Sequence, residues 1–426
     1  MIKILKEGVN TREEIFCVVE PKIDVQKIVE DIIENVKTNG DKALYEYALK
    51  FDKVELNDLV VSKEEVEEAV NSCDEEFLAV LKKAKENIYA FHKKQYREGF
   101  EIRQENGIIL GQKVIPIEKV GLYVPGGTAS YPSTVLMDAI PAKIAGCKQI
   151  VMVTPPDKNG KINPAILASA FVAGVDKIYK VGGAQAIGAL AYGTETIPKV
   201  DKIVGPGNAF VATAKKQVFG KVSIDMIAGP SEIMVVADKF SNAKWVAAYL
   251  LSQAEHDKLA SAVLITESED LAKKVQKEIE VQLEKLDRKE IARESIDQNG
   301  KIIIVKDIES AIEMANQIAP EHLELCIDNA YDCLDKIKNA GSVFLGRFCP
   351  EALGDYMAGL NHTLPTSGTA RFSSPLSVDD FIKKTQYVYY TEQNLSELYL
   401  DVDYFAKKEG LSAHAKSATI RFSEDE

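Results

Sequence analysis

The chain has 426 residues, 46% of them hydrophobic and 27% charged, an ordinary composition for a globular protein with length enough for two or three domains and sizeable cores. A formal net charge of −13 argues against a general binder of nucleic acid or of anionic membranes, since both need a basic surface. The six cysteines, Cys17, Cys73, Cys147, Cys326, Cys333 and Cys349, form no CxxC pair, so neither a disulfide framework nor a zinc ribbon is expected. The first residues, MIKILKEGVN, lack the layout of a signal peptide. No run approaches the ~18 apolar residues of a membrane span, and a reduced cytoplasmic compartment is the default expectation.

The first hundred residues read as mostly helical. Val25, Ile28, Val29, Ile32, Ile33 and Val36 form a stripe at helical spacing within 24–50. Asn39-Gly40 ends that helix and Asp41 is placed to cap the next. Ser62 with Glu65 resembles a capping box, and 74–95 is a charged amphipathic helix. No chemical signature lies in this region.

Near residue 115 short apolar runs begin to alternate with helical stretches. The expected strands are Val120–Val124, Ile150–Val153, Lys177–Val181, Lys202–Val204 and Ile233–Val236, then Ala262–Thr266, Ile302–Val305 and Ser342–Leu345. Helices are expected between them, including the charged stretch 267–295. Such alternation predicts βαβ units and two mainly parallel α/β layers, with ligands at the carboxyl ends of the strands. Residues 376–426 read as a return to helix, a C-terminal arm.

Four of the five histidines lie beyond residue 250. The exception, His92 in AFHKKQ, reads as a surface residue among lysines. In LSQAEHD, Gln253 and His256 are three apart and share a helix face, which suits convergence on a metal or an ordinary polar face equally. In APEHLEL, Glu321 and His322 can divide base and acid roles, or can be exposed charges at a helix start. The segment GDYMAGLNHTLPTSGTARFSSPLS carries Asp355, His362 and Arg371 on a long polar loop, of the kind that is more often functional than structural. EGLSAHAKSATIR brings Glu409 and His414 near the C-terminus. GLYVPGGTASYPSTVLM and VGGAQAIGALAYG are glycine-rich turns from strand to helix, with a helix starting near Pro132 in the first. Turns of this kind turn backbone N–H groups toward a phosphate, but neither is a G-x-G-x-x-G fingerprint or a Walker A loop. GPGNAFVATAKK and AGPSEIMVVAD add two further corners.

Together the strings VGLYVPGG, GGAQAI, DKIVGPGNAFV, DMIAGPSE, LLSQAEHD, APEHLEL, GDYMAGLNHTLPT and EGLSAH resemble the histidinol dehydrogenase family, in the family's order and over roughly residues 115–420. The departures, TASYP at 128–132 and Met357, Ala358 and Leu360, touch no ligand or catalytic position that the resemblance implies. The resemblance implies an α/β fold of two incomplete Rossmann-like domains, aldehyde-dehydrogenase-like in architecture, with a helical N-terminal region. Residues 1–118 with 235–375 would form a discontinuous domain bearing the metal and catalytic residues. Residues 119–234 would form the NAD-contacting domain, and 376–426 a helical C-terminal arm contributing to the partner subunit's site.

The resemblance further implies one zinc ion per subunit on Gln253, His256, Asp355 and His414, the last supplied across a homodimer with shared active sites. It implies a catalytic pair in Glu321 and His322. L-histidinol would be contacted by Ser231, His362 and Glu409 as well as by His322 and the metal ligands, and NAD by Tyr123, Gln185 and Asn208. The implied reaction takes L-histidinol, two NAD and water to L-histidine and two NADH through bound L-histidinal, the last steps of histidine biosynthesis. Two other enzyme chemistries stay open on the residues alone: a cysteine nucleophile at Cys147 or Cys326, and a zinc hydrolase with Glu321 activating water. A non-enzymatic protein that binds a metal or metabolite is the third alternative.

Overall fold

The structure, a computed structural model, describes residues 1–16, 25–126 and 131–423; Cys17 and part of the TASYP segment lie outside them. The chain forms two compact units, the first of residues 1–95 and 117–381, the second of 96–116 and 382–426.

The first unit holds two parallel sheets. One has six strands in the order β1-β11-β10-β9-β12-β13, where β1 is Lys3–Lys6, β9 Glu232–Ala237, β10 Ser261–Thr266, β11 Lys301–Ile304, β12 His322–Cys326 and β13 Ser342–Leu345. Every pairing in it is parallel. Runs such as IMVVA and SAVLIT suit strands covered on both faces, and their period of two separates the cores. Ile233, Val235, Leu264 and Ile302 meet helices α10 (Ala243–Ala254), α11 (Glu269–Leu283) and α12 (Lys289–Asn299). Met234, Val236, Ile265 and Ile303 meet α13 (Ile308–Ile318) and Ile15 of α1 (Arg12–Phe16).

The other sheet has five parallel strands in the order β6-β5-β4-β7-β8. They are β4 (Lys119–Tyr123), β5 (Gln149–Thr154), β6 (Lys177–Lys180), β7 (Lys202–Val204) and β8 (Ser223–Ile224). One core joins this sheet to α2 (Gln26–Asn39), α3 (Asp41–Tyr47), α8 (Gly183–Tyr192) and α9 (Ala209–Val218). Helices α6 (Pro132–Ala145) and α7 (Pro164–Ala173) pack together, with α4 (Lys63–Ser72) and α5 (Glu75–His92) against them. The N-terminal helices α2–α5 thus belong to this layer, and among the described residues of the first hundred only β1 and α1 join the six-stranded one.

Local expectations fare as the caps dictate. Val29, Ile32, Ile33 and Val36 are buried on α2, whereas Ile28 is half exposed. Gly40 ends α2. It is also the N-cap of α3, so Asp41 does not cap that helix but opens it; its carboxylate instead accepts from Thr196 Oγ1 at 2.5 Å. Ser62 and Glu65 form the expected capping box.

The second unit contains an antiparallel sheet, β14-β3-β2, built from β2 (Phe100–Arg103), β3 (Ile109–Pro116) and β14 (Ile382–Tyr389). Its helices are α15 (Glu392–Ser396), α16 (Tyr399–Lys408) and α17 (Ser412–Thr419). Residues 376–426 are therefore not all helix. The run IKKTQYVY is rich in β-branched and aromatic residues and pairs along its length with β3; its two lysines gave it the look of a charged helix. Among the described residues no helix is long and apolar enough to cross a membrane.

Candidate active site

The chain leaves α13 through Ala319, held at a φ of 56°, and Pro320 prevents the helix from resuming. Residues 322–326 then run as β12 between β9 and β13, which corrects the reading of Glu321 and His322 as a helix start. The strand's alternation sends Leu323 and Leu325 into the α13 core and Cys326 into the α10 core, so His322 and Glu324 share the α10 side. His322 opens β12 beside the start of β9. The pair thus lies at the amino ends of the six-stranded sheet, not at the carboxyl ends where ligands were expected.

Glu232 grips both members of the pair through its peptide groups. Its N–H donates to Glu321 Oε2 at 2.8 Å, and its carbonyl oxygen lies 3.0 Å from His322 Nδ1. Nδ1 also lies 3.4 Å from Gln253 Nε2, but its shorter contact is to a carbonyl, which only accepts, so Nδ1 carries a proton and Nε2 is the nitrogen left to exchange one. Glu321 Oε2 is 3.6 Å from Nδ1 and Asp355 Oδ1 is 3.6 Å from Nε2. Nε2 itself is buried without a hydrogen-bond partner. Burial favours the neutral ring, but the Glu321 and Asp355 carboxylates outweigh it and hold His322 well above the ordinary imidazole value.

Asp355, at the end of the short helix α14 (Glu351–Tyr356), is the hub of the cluster. Burial would raise its carboxyl, but the imidazoles of His322, His362 and His256 together hold it below the ordinary value. Burial lowers His256 and His362 in turn, against the pull of Asp355. Gln253 ends α10, and His256 sits in the turn beyond it with its N–H on the Gln253 carbonyl at 3.0 Å. The shared helix face becomes one tightening turn that still points both residues the same way.

Three carboxylates not singled out in the sequence surround the pair, Glu324 and Glu351 buried and Glu232 half-buried. Glu232 is pushed up to about 7 by burial and by Glu321, and its Oε1 accepts from Ser367 N at 3.0 Å. Burial also pushes Glu324 up to about 8 and Glu351 to about 7. The signals were present: Glu324 alternates with Leu323 and Leu325, and Glu351 stands one helical turn before Asp355.

The first part of the loop after α14 is buried, with Asn361, Thr363 and Thr366 each at most 5% exposed, whereas Arg371 and Phe372 farther along are exposed. His362 Nε2 is 3.2 Å from Thr134 Oγ1 on α6, and Thr363 Oγ1 donates to Asp138 at 3.1 Å. Thr366 Oγ1 accepts from Gly229 N at 2.7 Å. Here His92 is corrected: it is fully buried, with Nδ1 on the Ile88 carbonyl at 2.8 Å and Nε2 3.3 Å from Asn361 Nδ2. Asn87 of the same helix donates to the Met357 carbonyl at 2.7 Å. The lysines around His92 face out while α5 buttresses the active-site loop. Ser231 is half-buried just ahead of β9, its carbonyl accepting from Ser261 N at 2.9 Å.

Tyr123, Gln185 and Asn208 follow the carboxyl ends of β4, β6 and β7. The buried Tyr123 hydroxyl accepts from Gly183 N at 3.1 Å, and burial pushes it up to about 12. Gln185 is buried in the first turn of α8, whose N-cap, Gly182, offers no side chain. Asn208 is exposed and caps α9 through Phe210 N and Val211 N at 3.1 and 3.2 Å. Gly205 must be glycine: its φ is 114° and a Cβ would lie 2.1 Å from the Tyr123 carbonyl.

Glu409 and His414 belong to the second unit, at the end of α16 and on α17, and both are exposed. Among the described residues no group of three His, Cys, Asp or Glu side chains is arranged to hold a metal ion. The first unit nevertheless offers donors of the types zinc takes: the His256 imidazole, the Asp355 carboxylate, and Gln253 Oε1, which is buried with no partner. That orphaned oxygen has no other use in the site, so the residues fit the metal. Neither cysteine fits a nucleophile, because burial pushes Cys147 up to about 12 and raises Cys326.

A family model for histidinol dehydrogenase matches residues 19–422. The histidinol dehydrogenase of Clostridium acetobutylicum is 56% identical over 427 residues, covering 99% of this chain and 99% of its own length. That of Bacillus thuringiensis subsp. konkukian is 56% identical over 425 residues, covering 100% and 97%. The crystal structure of the Elizabethkingia anophelis histidinol dehydrogenase aligns with a TM-score of 0.93 at 42% identity, covering 99% of this chain and 98% of that one. With the site residues inside the matched span and the fold shared along the whole chain, this protein belongs to the histidinol dehydrogenase family.

Proposed function

We propose that the chain oxidises L-histidinol to L-histidine in two successive hydride transfers to NAD, with L-histidinal held between them. The observation that carries this reading is the convergence of Glu321, His322 and Asp355 with His256 and His362 in one buried cluster. Gln253, His256, Asp355 and His414 of the partner subunit would hold zinc, whose positive charge would help to orient the substrate. His322 Nε2, buried without a hydrogen-bond partner, is the atom placed to take the alcohol proton as hydride leaves the carbinol carbon for NAD. Glu321, held by the Glu232 N–H, is placed to take a proton from the water that hydrates the aldehyde. His322 takes the hydrate's proton in the second oxidation. Ser231, His362 and Glu409 would orient the substrate. For NAD, the uncapped start of α8 and the Tyr123–Gly183 contact support a site across 119–234, the remainder of the first unit carrying metal and catalysis.

The test is NADH formation, read by near-ultraviolet absorbance, from L-histidinol with and without a zinc chelator. No histidinol-dependent signal in the untreated enzyme would end the proposal, and a signal indifferent to the chelator would remove the metal from it. Glu321→Gln is expected to slow acid formation by about 10²-fold or more and alcohol oxidation much less. Equal losses with histidinol and with histidinal would count against the division of roles. For the shared site, His414→Ala and His322→Asn subunits, each inactive alone, should regain activity when mixed and reassociated. Mixtures that stay dead would show that His414 serves its own chain.

A further inference from the structure

Gln253 presents a group with two different ends. The amide oxygen can ligate a metal and the NH2 cannot, and half a turn about the terminal torsion exchanges them. The NH2 end donates to Glu351 Oε1 at 3.2 Å, while Oε1 points away, buried and without a partner. Glu351 is only 2% exposed and its place is fixed twice over. Its backbone N–H donates to Glu324 Oε1 at 2.6 Å, and its carboxylate meets Ser252 Oγ, next to Gln253 on α10, at 3.0 Å. Asp355 follows four residues later on α14, on the same helix face.

We propose that Glu351 is a positioning residue that orients the Gln253 amide with its oxygen toward the metal, and that Glu324 anchors Glu351 for that purpose. The inference rests on the reading of Gln253 as a zinc ligand. Glu351 Oε1 accepts from the amide at 3.2 Å, and an accepting oxygen can face only the NH2 end. The reversed amide would set two acceptor oxygens against each other and turn an NH2 into the site. One six-residue helix would then supply both a ligand, Asp355, and the group that aims a second ligand.

The experiment measures zinc affinity of the full-length protein by competition with a chromogenic chelator, with thermal melting of the metal-free protein as a check on folding. Glu351→Leu should weaken zinc binding by about 10–100-fold, as loss of an outer-shell partner does. Glu351→Gln, whose own oxygen can still accept, should recover most of it. Glu351→Ala is a second way to remove the acceptor if leucine disturbs the fold. In a Gln253→Glu background the ligand has no wrong end, so there Glu351→Leu should leave zinc affinity unchanged or improved. An equal loss in both backgrounds would make Glu351 merely structural and overturn the proposal. So would unchanged affinity in Glu351→Leu alongside a large loss in Gln253→Ala. Unchanged affinity in Gln253→Ala would overturn the ligand reading itself.

Discussion

His322→Asn is expected to lower turnover with L-histidinol by about 10²–10⁴-fold, the range over which general acid–base groups act, with little change in bound zinc. Asparagine can keep the local hydrogen bond, since its NH2 can donate to the Glu232 carbonyl that now lies 3.0 Å from Nδ1. What it cannot do is take a proton where Nε2 stands, beside Asp355 and without a hydrogen-bond partner. The ring also lies near-parallel to Phe344, centroids 6.1 Å apart, so part of its packing is lost. The thermal midpoint should therefore fall somewhat, while kcat falls far more than the KM for histidinol. Stopped-flow and steady-state rates with zinc-loaded enzyme check this. A kcat within a few-fold of the parent would remove His322 from proton transfer; loss of zinc in parallel with activity would make it part of the metal site instead.

The parallel layers were legible because their strands are continuous apolar runs: the eight expected segments each became a strand within a residue or two. β12 and β14 were not, for a shared reason. Each carries charged residues that break the apolar run, in β12 because His322 and Glu324 are turned to a polar pocket and in β14 because the adjacent Lys383 and Lys384 are both exposed, one on each face of a small sheet. Short β1, β2 and β8 offered too few residues for any period to show, and the eight residues of β3, ILGQKVIP, are interrupted by glycine, glutamine and lysine. The site residues of the first unit were legible as a set only through the family resemblance; each motif alone had a plain structural alternative. Glu351 and Glu324 stayed invisible because their function depends on what stands across from them, on α10, about a hundred residues away in one case. His92 misled for the converse reason: its sequence neighbours are lysines, and its spatial neighbour, Asn361, comes from the far end of the unit.

Lys215 illustrates the same gap and carries the largest stability effect. In ATAKK it reads as one of two helix lysines, yet it is 1% exposed while Lys216 is exposed. It pairs with the equally buried Asp225 and donates to the Gly205 carbonyl at 2.9 Å. Asp225 accepts from Gly205 N at 2.8 Å and Met226 N at 2.6 Å, so the ion pair clamps the corner between β7 and Asn208. Nearby Asp138, fully buried, is raised well above the ordinary value by burial first and by Asp225 second. Lys215→Met should leave Asp225 buried and uncompensated, costing about 3–5 kcal/mol. The urea midpoint reads that loss. Lys215→Met combined with Asp225→Asn should be markedly less unstable than Lys215→Met alone, because the stranded charge is gone. A single variant as stable as the parent, or a double variant that adds the two losses, would mean the clamp is not what holds this corner. If it is, the KM for NAD should rise in the single variant at temperatures well below its unfolding transition, since the corner it holds lies at the carboxyl end of the five-stranded sheet, where the cofactor is proposed to bind.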